Sequence, residues 1–230
     1  MSSPVLPAPR HQPLPPLEQG DCLTREEFER RYKAMPNLKK AELIEGVVHM
    51  PSPLRFKGHG RPSRHLSTWM GVYEASTPGV MGADNATARL DVDNEPQPDG
   101  LLLIDPALGG HAHISEDDYV EMAPELVSEI AASSVSFDLN SKLHVYRRNE
   151  VREYLVWRVL DQAVDWFVLR QSRFDRMQPG PDGILRSEVF AGLWLDPAAL
   201  VRGDLAGVLA VVQQGIASPE HAAFVAQLKR

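Results

Sequence analysis

The chain has 230 residues, of which 43% are hydrophobic and 24% charged, an ordinary composition for a globular protein. Its net charge of −7 argues mildly against a protein that coats nucleic acid. Its single cysteine, Cys22, excludes an intramolecular disulfide and a cysteine-based zinc cluster, and favours a reducing, cytoplasmic environment. No apolar run approaches the roughly 18 residues of a membrane span, so no membrane partner is expected.

The start of the chain differs in composition from the rest. Residues 1–20 are rich in proline and are predicted to be a leader that is either disordered or wrapped over the surface. No linker-like break follows. Residues 21–230 are therefore predicted to form a single domain, which closes with helices near 203–214 and 219–229.

The first elements after the leader are a helix, a hairpin and a second helix. Thr24-Arg25-Glu26-Glu27 matches a capping box and predicts a helix that ends near Pro36. The run from Ala41 to Met50 predicts a hairpin with its turn at Glu45-Gly46. An apolar stripe with helical spacing predicts the second helix over about residues 60–75.

Strands dominate the middle of the chain. Apolar runs predict strands near 86–92 and 98–104, and a long polar connection follows over 105–124. Next come a strand around Glu129 and a helix around Lys142. Later strands are predicted at 153–157 and 163–169, with shorter ones to about residue 190. This order predicts a mixed α/β fold with a central mixed β-sheet flanked by helices.

Three charged residues occupy positions where packing alone would place apolar ones. Asp99 leads directly into the apolar run 101–104, which is typical of a strand buried on both faces. Glu129 lies inside a second strand-like segment, on the same side as apolar neighbours. Lys142 falls in the middle of an apolar stripe with helical spacing, formed by Leu139, Leu143 and Tyr146. Because buried charges are costly unless they are paired or metal-bound, these residues predict a site.

Two carboxylates and a lysine suit one kind of chemistry in particular. Carboxylates at strand ends are natural ligands for Mg²⁺, which prefers oxygen and keeps several waters. Such a metal polarises a phosphoryl oxygen and activates a water, while a nearby lysine stabilises negative charge. The combination suits phosphodiester hydrolysis. Spacing alone leaves a structural ion-pair network open as the alternative, with Glu129 paired to Lys142 or to an arginine.

The order of several short motifs is more specific than any one of them. Pro98-Asp99, followed by Glu129-Ile130-Ala131, resembles the PD-(D/E)XK signature of the restriction-endonuclease-like superfamily. The surrounding sequence resembles the Uma family of putative restriction endonucleases over roughly residues 22–195. The motifs that carry this resemblance are Thr24-Arg25-Glu26-Glu27-Phe28, Glu42-Leu43-Ile44-Glu45-Gly46, Pro124-Glu125-Leu126-Val127-Ser128-Glu129, Lys142-Leu143-His144-Val145-Tyr146 and Val151-Arg152-Glu153-Tyr154-Leu155-Val156-Trp157.

The resemblance implies a restriction-endonuclease-like core and roles for particular residues. Asp99 and Glu129 would be catalytic metal ligands, with the backbone carbonyl of Ala131 as a third ligand. Glu42 corresponds to an acid on the superfamily's first structural element and would line the same cleft as a further catalytic residue. The signature has a lysine where this chain has Ala131, and the resemblance implies that this lysine has moved to the next helix, at Lys142. The apolar stripe also predicts that Lys142→Met would keep the protein stable.

The function implied by the resemblance is cleavage of DNA by an endonuclease that depends on Mg²⁺ or Mn²⁺. A homodimer would be favoured if both strands are cut. An alternative is a non-catalytic nucleic-acid or protein interaction module that retains the nuclease fold. The acidic net charge and the missing lysine at Ala131 favour that alternative. Hydrolysis of another phosphoester is a third possibility.

Overall fold

Short strands make up most of the middle of the chain in a computed structural model that describes residues 14–229. The strands are β1 (Glu42–Ile44), β2 (Val47–His49), β3 (Val80–Ala83), β4 (Ala88–Arg89), β5 (Gly100–Ile104), β6 (His113–Ile114), β7 (Val120–Glu121), β8 (Leu126–Ala131), β9 (Glu153–Arg158), β10 (Ala163–Arg170), β11 (Arg173–Arg176), β12 (Leu185–Arg186) and β13 (Trp194–Leu195). One mixed sheet has the order β11-β10-β9-β8-β5-β3. Its β8 and β9 are parallel, and its other neighbours are antiparallel.

Helices pack on this sheet and on the β1-β2 hairpin. They are α1 (Arg25–Lys33), α2 (Arg61–Ala75), α3 (Val135–Phe137), α4 (Leu143–Arg148), α5 (Pro197–Arg202), α6 (Leu205–Ile216) and α7 (Pro219–Leu228). A π-helical turn over Phe56–Gly60 leads into α2, and a second one over Asp138–Lys142 joins α3 to α4. Between β8 and β9, residues 135–148 are therefore continuously helical but wider in the middle turn than a regular α-helix.

Alternation along β8 sends its side chains into two different cores. Leu126 packs in the larger core, which α2 and the C-terminal helices close. Val127 and Ala131 pack in a smaller core with Tyr146 of α4. Because strand side chains alternate between faces, Glu129 lies on the same face as Val127 and Ala131 and points toward α4.

Three smaller sheets accompany the large one: the β1-β2 hairpin, a three-stranded sheet with the order β4-β7-β6, and the β12-β13 pair. The hairpin is joined to the chain that leads into β5. The N–H of Leu43 donates to the carbonyl of Glu95 at 3.2 Å, and the N–H of Glu95 donates to the carbonyl of Leu43 at 2.8 Å. These two bonds hold Glu42 next to residues 96–99, just before β5.

The main elements expected from the sequence are present. Thr24 caps α1 by accepting a hydrogen bond from the N–H of Glu27 at 3.4 Å. The predicted hairpin corresponds to β1-β2, and the predicted second helix corresponds to α2. The expected mixed sheet flanked by helices is confirmed.

The differences from prediction concern elements that are short. The strand expected at 86–92 is limited to β4, because the Asp91 side chain accepts from the N–H of Asp93 at 2.9 Å and turns the chain. The connection expected at 105–124 contains β6 and β7, which are too short to show the alternation of apolar and polar residues that is typical of a strand. The edge strand β3 was not predicted, because pairing with β5 rather than its own pattern makes it a strand. Helix α5 was also missed, although Asp196 and Pro197 are typical helix-start residues.

The predicted leader falls only partly within the described residues. Residues 1–13 lie outside them. Within residues 14–20, Leu17 is only 3% exposed and packs against Phe28, Leu43 and Val48. Residues 14–20 therefore contact α1 and the β1-β2 hairpin through Leu17. The division into a leader and a single domain over 21–230 stays a prediction. None of the helices within residues 14–229 is both long and apolar enough to cross a membrane.

Leu17→Ala tests whether the end of the leader belongs to the folded unit. Replacing a buried leucine by alanine leaves a cavity, so we expect the free energy of unfolding to fall by about 2–4 kcal/mol in urea titrations. Leu14→Ala is the matched control, because Leu14 is 38% exposed and should cost less than about 0.5 kcal/mol. Equal effects of the two substitutions would show that residues 14–20 add nothing to the fold.

Candidate active site

Asp99 and Glu129 lie level with each other on neighbouring strands. In the antiparallel pairing of β5 with β8, Gly100 is opposite Ser128. One further step along the same register brings Asp99, just before β5, level with Glu129 within β8. Opposed residues in an antiparallel pair share a face and have their Cβ atoms about 4.5–5.5 Å apart. The two acids predicted from the sequence are therefore brought together where the β5–β8 pairing ends.

Lys142 joins two acids that are far apart in the sequence. Its Nζ donates to Glu129 Oε1 and to Glu42 Oε1, each at 2.8 Å. All three side chains are buried, with residue exposures of 3% for Lys142, 4% for Glu129 and 7% for Glu42. The π-helical turn that ends at Lys142 faces the hairpin on one side and β8 on the other. The expectation that Lys142 points inward toward the acids agrees with this geometry.

Glu42 is held in place from two sides. The backbone N–H of Gln97 donates to Glu42 Oε1 at 2.7 Å, and the ammonium group of Lys142 donates to the same oxygen. Burial raises the pKa of the Glu42 carboxyl, but the charges of Lys142 and Lys40 and the two hydrogen bonds outweigh it and hold the pKa below its usual value. Glu42 is therefore a charged residue inside the cluster rather than a solvent-facing hairpin residue.

In Glu129, unlike Glu42, the effects that raise the pKa outweigh those that lower it. Burial raises the pKa of its carboxyl to about 8, and the nearby acids Asp99, Asp138 and Glu42 add to the increase despite the charge of Lys142. Tyr146 donates its hydroxyl to Glu129 Oε1 at 2.8 Å, the same oxygen that Lys142 contacts. Both hydrogen bonds orient the carboxylate from the α4 side. The cluster thus contains more carboxylates than positive charges, and the pKa of Glu129 is raised as a result.

Asp99 has its own set of donors. Oδ2 accepts from the backbone N–H of Ile130 at 2.8 Å, and Oδ1 lies 3.0 Å from His59 Nε2 and 4.0 Å from Lys40 Nζ. Burial raises the pKa of Asp99, but the hydrogen bond and charge of His59, followed by Lys40 and the Ile130 N–H, lower it below its usual value. Asp99 is therefore the more acidic member of the facing pair.

The backbone carbonyl predicted as a third metal ligand, that of Ala131, points away from Asp99. The carbonyl of Ala131 accepts from the N–H of Val159 at 2.9 Å, so it points toward the β9 side of the strand. Ile130 donates its N–H to Asp99, which places its own carbonyl on that same edge of β8. Successive residues of a strand direct their backbone groups to opposite edges. The Ala131 carbonyl and the Asp99 side chain therefore lie at opposite edges of β8.

Several residues near the site were not predicted from the sequence. His59 and Lys40 are distant in sequence from Asp99 and carry no local signal that would place them beside it. Asp138 is 3% exposed and lies four residues before Lys142, a helical spacing that could have revealed it. Tyr146 was predicted to lie on the inward stripe but was assigned no contact with an acid.

The donor set suits a hard divalent cation. Within residues 14–229, no group of three or more His, Cys, Asp or Glu side chains is arranged to hold a metal ion. Mg²⁺ commonly binds through one or two carboxylates and keeps several waters, so the facing pair of Asp99 and Glu129 meets its needs. The raised pKa of Glu129 also favours a bound cation, because a positive charge beside this carboxylate would offset the cost of its negative charge.

These features define a mixed α/β protein with a buried acid–lysine centre where the β5–β8 pairing of its main sheet ends. The crystal structure of a "putative nuclease belonging to DUF820" from Anabaena variabilis ATCC 29413 has a similar fold, with a TM-score of 0.58 and 15% sequence identity. The similarity covers 76% of this chain and 97% of that chain. The Uma2 family, described as "Putative restriction endonuclease", matches residues 25–198, and the chain belongs to this family. A search of the curated proteins found no match.

Family membership confirms the resemblance that the ordered motifs indicated. The similar structure confirms the expected mixed α/β fold with a central sheet flanked by helices. Of these two findings, the family description supports a nuclease-type hydrolase. Neither of them assigns roles to individual residues, so the roles of Asp99, Glu129, Lys142 and Glu42 rest on the geometry.

The buried ion pairs reverse the sequence-based expectation for Lys142→Met. Removing the ammonium group leaves two buried carboxylates without their cation, so we expect a loss of about 3–5 kcal/mol in unfolding free energy at pH 8. The loss should shrink at pH 5, where the Glu129 carboxyl is protonated. Lys33→Met is the control, because Lys33 has a 60% exposed side chain and its pair with Glu29 contributes at most about 1 kcal/mol. A Lys142→Met protein as stable as wild type would show that the lysine is not needed to balance these acids.

Glu129→Gln tests the raised pKa of Glu129 in metal-free buffer. The folded state retains a proton up to about pH 8, whereas the ordinary value for the unfolded carboxyl is 4.5. Between these values the folded state binds more protons, so this group lowers the stability of the wild type as pH rises. The stability of Glu129→Gln relative to wild type should therefore increase from pH 5 to pH 8. Glu116→Gln, at an exposed position, is the control. Parallel curves for Glu129→Gln and wild type would contradict the assignment.

Proposed function

We propose that the protein is a phosphodiesterase that depends on Mg²⁺ or Mn²⁺ and acts as a DNA endonuclease. Membership of a family described as "Putative restriction endonuclease" supports the reaction class. The observation that carries the proposal is the contact of Lys142 with Glu129 at 2.8 Å, next to the register position of Asp99. Two acids and a lysine in this arrangement are suited to attack on a phosphodiester. A cytoplasmic location, and a homodimer if both strands are cut, belong to the same proposal.

The metal would be held by the Asp99 and Glu129 carboxylates, with the Ile130 carbonyl on the same strand edge. When bound, it would supply Lewis-acid stabilisation of the phosphoryl oxygens and lower the pKa of a bound water. The chain's own contribution is to hold these ligands in place before metal and substrate arrive. The N–H of Ile130 fixes Asp99 at 2.8 Å, and the hydroxyl of Tyr146 fixes Glu129 at 2.8 Å.

Lys142 would contribute positive charge at the reacting phosphate. Its ammonium group is held between Glu42 and Glu129 and keeps its proton, because these acids raise its pKa despite burial. A permanently charged donor in a buried site stabilises the negative charge that develops on a phosphoryl oxygen. Glu42, itself bound by the Gln97 N–H, keeps Lys142 aligned with β8. In this proposal, Glu42 acts through Lys142 as a positioning residue.

A non-catalytic binding module is the second candidate. Two observations favour it: the signature lysine is absent at Ala131, and Lys142 is already bonded to two carboxylates. In that case the acid–lysine cluster would serve the fold, with nucleic acid or protein bound elsewhere. Only the endonuclease is expected to cleave DNA, and its cleavage should depend on Asp99.

Plasmid nicking separates the two functions. Purified wild-type protein should convert supercoiled DNA to the open circle in Mg²⁺ or Mn²⁺, and EDTA should stop the reaction. Asp99→Asn should lower the rate by at least about a hundredfold, since this substitution removes a ligand of the proposed metal. Asp175→Asn, on the far edge strand β11, is the matched control and should keep the wild-type rate.

A second readout does not depend on turnover. Mn²⁺ should raise the melting temperature of the wild type, because an ion that binds the folded state stabilises it. The same addition should leave the melting temperature of Asp99→Asn unchanged. Nicking that persists unchanged in Asp99→Asn would point to a contaminating nuclease. Absence of both nicking and Mn²⁺ stabilisation in the wild type would favour the non-catalytic module.

A further inference from the structure

One exposed segment beside the site is basic and apolar at the same time. Residues 54–64, called here the basic turn, include the π-helical turn and the first residues of α2. Phe56 is 73% exposed and Leu54 is 66% exposed, values unusual for large apolar side chains in a folded protein. The positive residues of the basic turn are Arg55, Lys57, Arg61 and Arg64, and the segment contains no acid.

The charge of the basic turn is not neutralised by the described protein. Across residues 14–229, none of its four cationic side chains takes part in an ion pair. Arginines elsewhere, such as Arg30, Arg31 and Arg89, are paired with acids. In a chain with a net charge of −7, a local concentration of unpaired positive charge indicates a negatively charged ligand.

The basic turn is in direct contact with the candidate site. His59, within the turn, lies 3.0 Å from Asp99 Oδ1 through its Nε2 atom. Gly58 lies against the residue that follows β8, because a Cβ placed on Gly58 would be 3.7 Å from the Cβ of Ala132. The N–H groups of His59 and Gly60 both donate to the carbonyl of Arg55, which fixes the shape of the turn. A ligand on the basic turn would therefore extend directly into the site.

We propose that the basic turn is the docking surface for a single-stranded stretch of nucleic acid, whose phosphates contact the cations while an unpaired base stacks on Phe56. The inference rests on the proposed function, because it names the form of substrate that the same site would receive. Aromatic side chains between cations are the usual means of binding single strands. A base within a duplex is already stacked on both sides and offers no free face to Phe56. The substrate would thus carry an unpaired stretch at or near the cleaved bond.

Binding is measured by fluorescence anisotropy with the full chain, using labelled oligothymidine and a labelled duplex of the same length. EDTA is present throughout, so that cleavage does not interfere. The wild type should bind the oligothymidine more tightly than the duplex. Phe56→Ala should weaken oligothymidine binding by about tenfold, with a much smaller effect on the duplex. Leu160→Ala is the matched control, because Leu160 is 72% exposed and lies in a different loop.

The cations are tested through salt dependence. Replacing Arg55, Lys57 and Arg61 together by alanine should reduce the slope of log affinity against log salt by about 0.7 for every phosphate that the protein no longer neutralises. Arg173→Ala, at a side chain 78% exposed but paired with Asp175, should leave the slope unchanged. Circular dichroism melting of each variant confirms that these surface changes leave the fold intact.

Each result supports or overturns the inference separately from the proposed function. Wild-type protein that binds oligothymidine through Phe56 but never nicks DNA would support the basic turn and contradict the endonuclease. Wild-type protein that nicks DNA, with variants that bind both oligonucleotides like wild type, would overturn the basic turn alone. Equal affinity for the duplex and the oligothymidine would also overturn it. Binding of the wild type to anionic lipid vesicles in preference to oligothymidine would assign the exposed Leu54 and Phe56 to a membrane surface instead.

Discussion

One buried ammonium group, that of Lys142, is shared by carboxylates from distant parts of the chain. It bonds Glu42 of the hairpin and Glu129 of the main sheet, each at 2.8 Å. A buried charge is tolerated only when partners surround it, so these bonds constrain where the hairpin, β8 and the π-helical turn can lie. Lys142 thereby joins three separately formed elements at one point, and the acids that face the substrate cleft in the proposed enzyme are positioned by it.

The same cluster gives a physical reason for the proposed metal. Lys142 alone donates to both Glu42 and Glu129, while Asp99 and Asp138 are close enough to raise the pKa of Glu129. Such a surplus of buried acid can be balanced in two ways, by retaining a proton or by binding a cation. The raised pKa of Glu129 is the first, and the proposed Mg²⁺ is the second. Stability and function are therefore opposed here, since the cost of the acid cluster in the free protein favours metal binding.

The features that could be predicted from the sequence are those that depend on local residue patterns and on the order of the motifs. Periodicity placed Lys142 on an inward face, and the ordered motifs placed Asp99, Glu129 and Glu42 in one site. The sequence could not predict contacts between residues far apart in the chain. It also could not predict features that change when a strand shifts by one residue. His59 reaches Asp99 only because the turn before α2 folds over the end of β8. The edge of β8 to which the Ala131 carbonyl points was not predicted, because one step along a strand reverses the edge to which the backbone groups point.

The most direct test of the central claim is a crystal structure of the wild type soaked in Mn²⁺, with anomalous diffraction used to locate the ion. The account predicts one strong anomalous peak between the carboxylates of Asp99 and Glu129, within bonding distance of an oxygen from each and on the Ile130 side of β8. Lys142 should remain in contact with Glu129. Well-ordered Asp99 and Glu129 side chains with no peak between them at saturating Mn²⁺ would contradict it, and would identify the cluster as a structural ion-pair network.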